Sequence, residues 1–128
     1  MKFLSIGFAL GLIVVLNAPA AAACMNPKSK EEIAEGRLFI QRFKDAAGRP
    51  EQMYILRMPT PACLDGKEPD ERVKSTRSLH IFASDEKIHR RIRQFVGKDI
   101  QVRGTVFSAH TAHHHAAIVM DIKEIDRI

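Results

Sequence analysis

The chain has 128 residues, of which 45% are hydrophobic and 27% charged, and its formal charge is +5 at pH 7. This length is enough for one hydrophobic core and too short for two, so we expect one domain. The mildly basic balance favours anionic lipids, glycans or acidic proteins as partners.

The N-terminal segment has the pattern of an export signal. Lys2 is followed by an apolar run over residues 3–16 and then by alanines that lead up to Cys24. A basic start, a short apolar run and small residues at the end are typical of a secretory signal peptide, whereas a spanning helix needs roughly 20 apolar residues. We therefore predict a signal peptide over 1–23 and a periplasmic or secreted domain over 24–128. Export argues against nucleic acid as the partner.

Cys24 and Cys63 are the two cysteines of the chain. In an exported protein an even count favours a disulfide between them. The alternative is lipidation of Cys24 directly after cleavage, although Ala21 stands where a lipoprotein signal usually has Leu. We expect cleavage after Ala23, or one residue earlier after Ala22.

Two apolar segments follow. "EGRLFIQRF" (35–43) and "MYILRM" (53–58) flank a segment that contains Gly48 and Pro50, and they predict two strands joined as a hairpin. The next segment, "PTPACLDGKEPD" (59–70), has three prolines. It predicts no regular element, because proline lacks the backbone donor.

The period of the apolar residues changes after the third strand. "SLHIFA" (78–83) predicts a strand buried largely on both faces. In "SDEKIHRRIRQFVG" (84–97) the apolar residues recur at steps of four and three, which is one face of a helix. Ser84 is the expected N-cap and Gly97 the expected end.

The last two predicted strands complete the architecture. "DIQVRGTVF" (99–107) and "AIVMDIKEI" (117–125) return to alternation, with Gly104 placed where a barrel strand can bend. Three strands, a helix and two strands predict a mainly β fold, a five-stranded, partly open OB-fold-like barrel with its helix between strands 3 and 4. A small α+β sheet with one packed helix is the alternative.

Between these two strands lies "AHTAHHHAA" (109–117), here called the His loop, with His110, His113, His114 and His115. Neutral imidazole is the commonest transition-metal ligand, so these four residues predict a zinc or copper site. In extended backbone His113 and His115 project to the same side. They are therefore the pair best placed to bind one metal ion. A hydrogen-bonded structural loop and a pH-responsive binding surface are the alternatives.

The predicted helix also carries four basic residues: Lys87, Arg90, Arg91 and Arg93. They could bind phosphate groups or an acidic partner, although such residues usually form a solvated face. His89 belongs to the same surface, and His80, in the third strand, is predicted to be a packed or edge residue. Replacement of His80 and His89 is therefore predicted to leave metal binding nearly unchanged.

The segments "FVGKDIQVRGTVFSAHTAHHHAAIVMDIKEI" (95–125) and "YILRMPTPACLDG" (54–66), together with Cys24, resemble an exported bacterial domain of unknown function, DUF4431. Its members show an Ala-His-Thr-x-His-His-His loop and a Leu-x-x-Pro-x-Cys segment. Here Met58 stands in the aliphatic place and Ala112 where a glycine is expected, which leaves all four histidines in the loop. The resemblance supports the fold and export and implies no activity.

These features predict a small exported binding module whose His loop binds a transition metal or a partner. The first alternative is an envelope inhibitor or immunity-type protein that blocks an enzyme through the loop, and the second is a zinc-dependent hydrolase. Ser108 and His110 are near each other in sequence, but no orienting acid is evident, and paired cysteines cannot act as nucleophiles. We therefore assign no catalytic residue and expect that the protein is not an enzyme.

Overall fold

The computed structural model describes residue 7, residues 9–14 and residues 24–128. The regular elements are strands β1 (Glu32–Lys44), β2 (Pro50–Asp65), β3 (Arg72–Phe82), β4 (Asp99–Ser108) and β5 (Ile118–Arg127), the helix α1 (Glu86–Ile92), and two 3₁₀ turns at Pro69–Glu71 and Arg93–Phe95.

The five strands form one closed barrel in the order β1, β2, β3, β5, β4, and β1 closes it by pairing with β4. All pairs are antiparallel except β3 with β5. The mainly β barrel with a helix between strands 3 and 4 is thus confirmed, and it is closed rather than partly open. Alternating apolar side chains fill the interior, among them Leu38, Leu56, Leu79, Ile81, Ile100, Val102, Met120 and Ile122.

Gly104 allows β4 to approach β5 closely. A Cβ at this position would lie 2.0 Å from the backbone oxygen of Asp121, so a larger residue would force the strands apart. The strand register also shifts between Arg103 and Gly104. At the glycine where a bend is predicted, the two strands thus approach closely and their pairing is irregular.

The prediction that residues 59–70 hold no regular element was wrong. β2 continues to Asp65. Its register against β3 shifts between Arg57 and Ala62, so Pro59 and Pro61 fall in an irregular stretch between regular pairs. Prolines are tolerated at such irregularities because no ladder hydrogen bond is required of them.

The cap of α1 lies one residue later than predicted. Asp85, not Ser84, is the N-cap, and its carboxylate accepts hydrogen bonds from the backbone N–H groups of Lys87 and Ile88. The backbone N–H and hydroxyl of Ser84 donate instead to the Asp121 carboxylate at 3.0 and 2.7 Å. Ser84 thereby ties the start of the helix to β5.

Cys24 and Cys63 form a disulfide, as predicted. Beside it the Met25 N–H donates to the Cys63 carbonyl at 2.8 Å, and the Asp65 N–H donates to the Met25 carbonyl at 2.9 Å. The bridge and these bonds fasten the start of the domain to the end of β2.

The predicted signal peptide over 1–23, with its cleavage position, lies for the most part outside the described residues. None of the helices in the described part of the chain is long and apolar enough to cross a membrane.

Candidate functional site: the His loop and Glu51

The His loop connects β4 to β5 at one end of the barrel. Ser108 and Ile118 are the last paired residues of the two strands, and the Ala109 N–H donates to the Ala117 carbonyl at 3.0 Å to close the base of the loop. Within the loop, the His114 N–H donates to the Thr111 carbonyl at 3.1 Å and forms a turn. The four histidines therefore extend from a short, folded segment.

Glu51, near the start of β2, is the carboxylate that holds this loop. Its Oε1 lies 2.6 Å from His113 Nδ1, and its Oε2 lies 3.1 Å from His115 Nε2. The hydrogen bond from His113, followed by that from His115, holds the pKa of the Glu51 carboxyl below its usual range. An ionised carboxylate only accepts hydrogen bonds, so both imidazole nitrogens are the donors.

His115 is fastened to the barrel on its other faces. Its ring stacks on Phe43 with centroids 3.9 Å apart and an interplanar angle of 11°. Its backbone N–H donates to His80 Nδ1 at 3.3 Å. The extended-chain prediction that His113 and His115 project to the same side agrees with this geometry, but both side chains meet a carboxylate there.

His80 lies beneath the loop with 4% of its surface exposed. Its ring is 6.1 Å, centroid to centroid, from the rings of His114 and His115. Burial, and then the charges of these two neighbours, lower the pKa of His80 to about 4, so it is neutral near pH 7. The prediction of a packed residue in the third strand is consistent with this position, but the contact of His80 with the His loop was not predicted.

His114 uses its side chain to stabilise the loop itself. Its Nδ1 accepts hydrogen bonds from the backbone N–H groups of His110 and Thr111 at 3.1 and 3.3 Å. Burial, and then the neighbouring histidines, lower the pKa of His114. The neutral ring then carries its proton on Nε2, because the Nδ1 lone pair is occupied.

His110 has the opposite arrangement. Its Nδ1 lies 3.1 Å from the Ser108 carbonyl oxygen, which can only accept, so Nδ1 is the donor. The ring contacts those of Phe107 and His114 at centroid distances of 5.3 and 4.7 Å. The hydrogen bond to Ser108 uses Nδ1, so the Nε2 atom of a neutral His110 keeps its lone pair.

The hydrogen bonds separate the four loop histidines into two pairs. His110 and His114 pack together beside Phe107, while His113 and His115 bond to Glu51. In residues 24–128 and the other described positions, no three or more His, Cys, Asp or Glu side chains form a group arranged to hold a metal ion.

Glu51 and Phe43 were missed by sequence reasoning. They are directly opposite each other in the β1–β2 hairpin, so a prediction of the hairpin register would have paired them. No sequence pattern connects that hairpin to the His loop, since Glu51 and His113 are 62 residues apart. The strand order brings the two together, because β3 pairs with β2 on one side and with β5 on the other.

The basic residues Lys87, Arg90, Arg91 and Arg93 are exposed on α1 and the following turn. None of the ion pairs in the described part of the chain includes them. Arg90 Nε donates to the Glu86 carbonyl at 3.3 Å. This surface is separate from the His loop along the chain and keeps its positive charge.

The comparisons with known proteins add one family. The model of the family described as Domain of unknown function (DUF4431) matches residues 78–126, which extend from β3 to near the end of β5 and include the His loop. No curated protein matches the chain. The predicted resemblance to this family is confirmed over residues 78–126, and the description of the family carries no activity.

Proposed function

We propose that this protein is a small exported binding module that recognises a partner protein through the His loop. The observation that carries the proposal is the carboxylate of Glu51, which accepts hydrogen bonds from two loop imidazoles at 2.6 and 3.1 Å. A loop held in one shape before binding loses less conformational entropy when a partner docks.

The exposed members of the loop supply the contact surface. His110, Thr111, Ala112 and His113 are exposed, while His114 and His115 are partly buried. The outer histidines offer ring faces and nitrogen atoms to a partner, and the inner ones hold the backbone. Imidazole combines an apolar body with a polar tip, which suits a protein interface.

Export belongs to the same proposal. A disulfide between Cys24 and Cys63 is the form expected in an oxidising compartment, and the N-terminal signal pattern supports a periplasmic or secreted location. An inhibitor or immunity-type protein is one form of such a module, in which the partner is an envelope enzyme.

Capture from an envelope extract tests the proposal with matched variants. The immobilised, tag-free protein is compared with the double variant His110→Ala/His113→Ala and with His89→Ala, a histidine on the surface of α1. We expect a protein that the parent and the His89 variant retain and the double variant loses. Identical retention by all three would contradict recognition through the loop.

A transition metal is a second candidate ligand, favoured by the imidazole hydrogen bonds. His110 Nδ1 donates to a backbone carbonyl and His113 Nδ1 donates to a carboxylate. A histidine that binds a metal through one ring nitrogen usually donates the N–H of the other to a carboxylate or carbonyl in this way. The bond directs the Nε2 lone pair towards an ion. His80 and His114, whose Nδ1 atoms accept hydrogen bonds, are not suited to this role.

Calorimetric titration of the tag-free protein with Zn(II) or Cu(II) at pH 7.5 separates the two candidates. If His113 is a ligand, His113→Ala abolishes strong binding, Glu51→Gln weakens it by roughly 10- to 100-fold, and His89→Ala leaves it unchanged. Absence of binding by the parent, or equal weakening by His89→Ala, would remove the metal candidate. The partner proposal would be unaffected.

A further inference from the structure

A groove on the outer face of the barrel lies far from the His loop. It has a volume of about 630 Å³ and is lined by Glu35, Gly36, Arg37, Phe39, Arg57, Met58, Pro59, Arg77, Asp99 and Ile128. Arg57 and Glu51 are both on β2, and six residues of strand separate them by about 20 Å. The groove is therefore a different surface from the one assigned above.

Three neighbouring strands each contribute one arginine to this groove: Arg37 from β1, Arg57 from β2 and Arg77 from β3. The Arg37 guanidinium is held by both oxygens of Asp99 at 3.1 and 3.2 Å. Glu35, the other carboxylate of the lining, accepts from Gln101 Nε2 at 3.0 Å. Asp99 is therefore paired with an arginine through both oxygens, whereas Glu35 accepts one hydrogen bond from an amide.

Arg57 and Arg77 keep most of their hydrogen-bonding capacity. Within the described residues neither has a carboxylate within ion-pair distance. Arg77 Nη1 donates to the Pro59 carbonyl at 2.7 Å, and the Arg57 guanidinium carbon lies 5.5 Å from the Phe39 ring centre. Each guanidinium has five N–H donors, so several remain for an anion.

The rest of the lining is apolar. Phe39 and Ile128 are exposed at 36% and 67%, and the buried side chain of Met58 lies between outward-facing neighbours on β2. Aromatic residues, Met and Arg are the types enriched at the centres of protein interfaces. The combination suits a ligand with an apolar group beside carboxylates.

We infer that this groove binds an acidic segment of a partner protein, with an apolar side chain on the exposed Phe39 and Ile128 and carboxylates on Arg57 and Arg77. Charge complementarity selects the acidic sequence, since Arg57 and Arg77 have no carboxylate partner among the described residues and Asp99 is paired with Arg37. Strand addition is disfavoured as the mode of binding, because Pro59 and Pro61 lack the N–H donors that an added strand would need. Side-chain contacts therefore carry recognition.

The test uses a capped hexapeptide, Asp-Glu-Leu-Phe-Asp-Glu, and its amide counterpart, Asn-Gln-Leu-Phe-Asn-Gln. Titration into the isotope-labelled protein, followed by NMR, is expected to shift backbone signals of β1, β2 and β3 around the groove. Arg57→Gln and Arg77→Gln should each weaken binding of the acidic peptide roughly tenfold, the loss expected when a charged hydrogen-bonding group is removed. The amide peptide should bind more weakly than the acidic one.

Arg42→Gln is the matched control, since Arg42 is an exposed arginine of β1 outside the groove lining. It should leave binding unchanged, and thermal unfolding should confirm that every variant folds. Equal weakening by Arg42→Gln would mean attraction to overall charge and would overturn the inference. It would also be overturned by shifts confined to α1, by equal affinity for the amide peptide, or by no binding at all.

Discussion

The His loop and the groove on the outer face differ in what their polar groups contact. In the loop, Glu51, His80 and His114 are occupied by hydrogen bonds to other loop or barrel groups. In the groove, Arg57 and Arg77 have no carboxylate partner among the described residues.

This difference separates residues that maintain shape from residues available for binding. Histidines that are conspicuous in the sequence serve in part to fold their own loop. Arginines that are scattered over three strands converge on one groove. Clustering in sequence is therefore a poor guide to which side chains remain free. The following predictions test the contrast between the two regions, from the largest expected effect to the smallest.

The largest effect is expected from the disulfide, which fastens the end of β2 beyond the groove. The double variant Cys24→Ala/Cys63→Ala should lower the free energy of unfolding by about 4 kcal/mol, because the bridge closes a loop with a sequence separation of 39 residues. Urea denaturation monitored by circular dichroism measures this loss.

The control for the disulfide is chemical. Thiol titration of the denatured parent should detect no free thiol. Two reactive groups would contradict the bridge, and a mass increase on Cys24 that matches acyl chains would indicate the lipoprotein alternative.

The next effect is a pH dependence of stability from His80. The folded-state pKa of His80 is about 4, below the ordinary value of 6.5, so the unfolded chain takes up the proton first. The contribution of His80 to the free energy of unfolding is fully present above pH 6.5. As the pH falls from 6.5 towards 4, this free energy decreases by up to about 3 kcal/mol. The protonated ring also loses the Nδ1 acceptor used by His115.

Denaturation series at pH 7, 6 and 5 measure this dependence in the parent, in His80→Gln and in His89→Gln. The slope of the free energy of unfolding against pH should be reduced in His80→Gln and unchanged in His89→Gln. The same slope in all three proteins would show that His80 does not titrate in this window.

A smaller, local effect is expected from Glu51→Gln. The amide cannot accept from both imidazoles with the strength of a carboxylate, because the charge that assists both bonds is removed. Amide hydrogen exchange of the loop, especially at His115, should become faster while the strands keep their protection. Glu124→Gln, an exposed carboxylate of β5, should leave loop exchange unchanged. If Glu51→Gln does not accelerate exchange, the loop is held by other contacts.

The smallest effect is expected in the groove. Arg57→Gln and Arg77→Gln should change the free energy of unfolding by less than about 0.5 kcal/mol, as is usual for exposed positions. Urea denaturation checks this. A loss above 1 kcal/mol would mean that these arginines support the fold, and the contrast between the two regions would disappear.

Much of the barrel was predictable because its strands alternate and α1 has helical period. The predicted end of the second strand was wrong because the prolines were expected to exclude a strand. Pro59 and Pro61 instead lie in an irregular stretch of the β2–β3 pairing, which tolerates them. The helix cap was displaced from Ser84 to Asp85 because Asp121, distant in sequence, binds Ser84. In each case a long-range contact overrode a local preference.

By itself, the sequence determined the order of the strands, the position of the His loop between the last two, and the pairing of two cysteines. These follow from local periodicity and composition, which act over a few residues. Tertiary structure alone decided that His113 and His115 bond to Glu51, that His80 lies under the loop, and that three arginines share one groove. Such contacts depend on strand order and register, which bring together side chains that no local pattern connects.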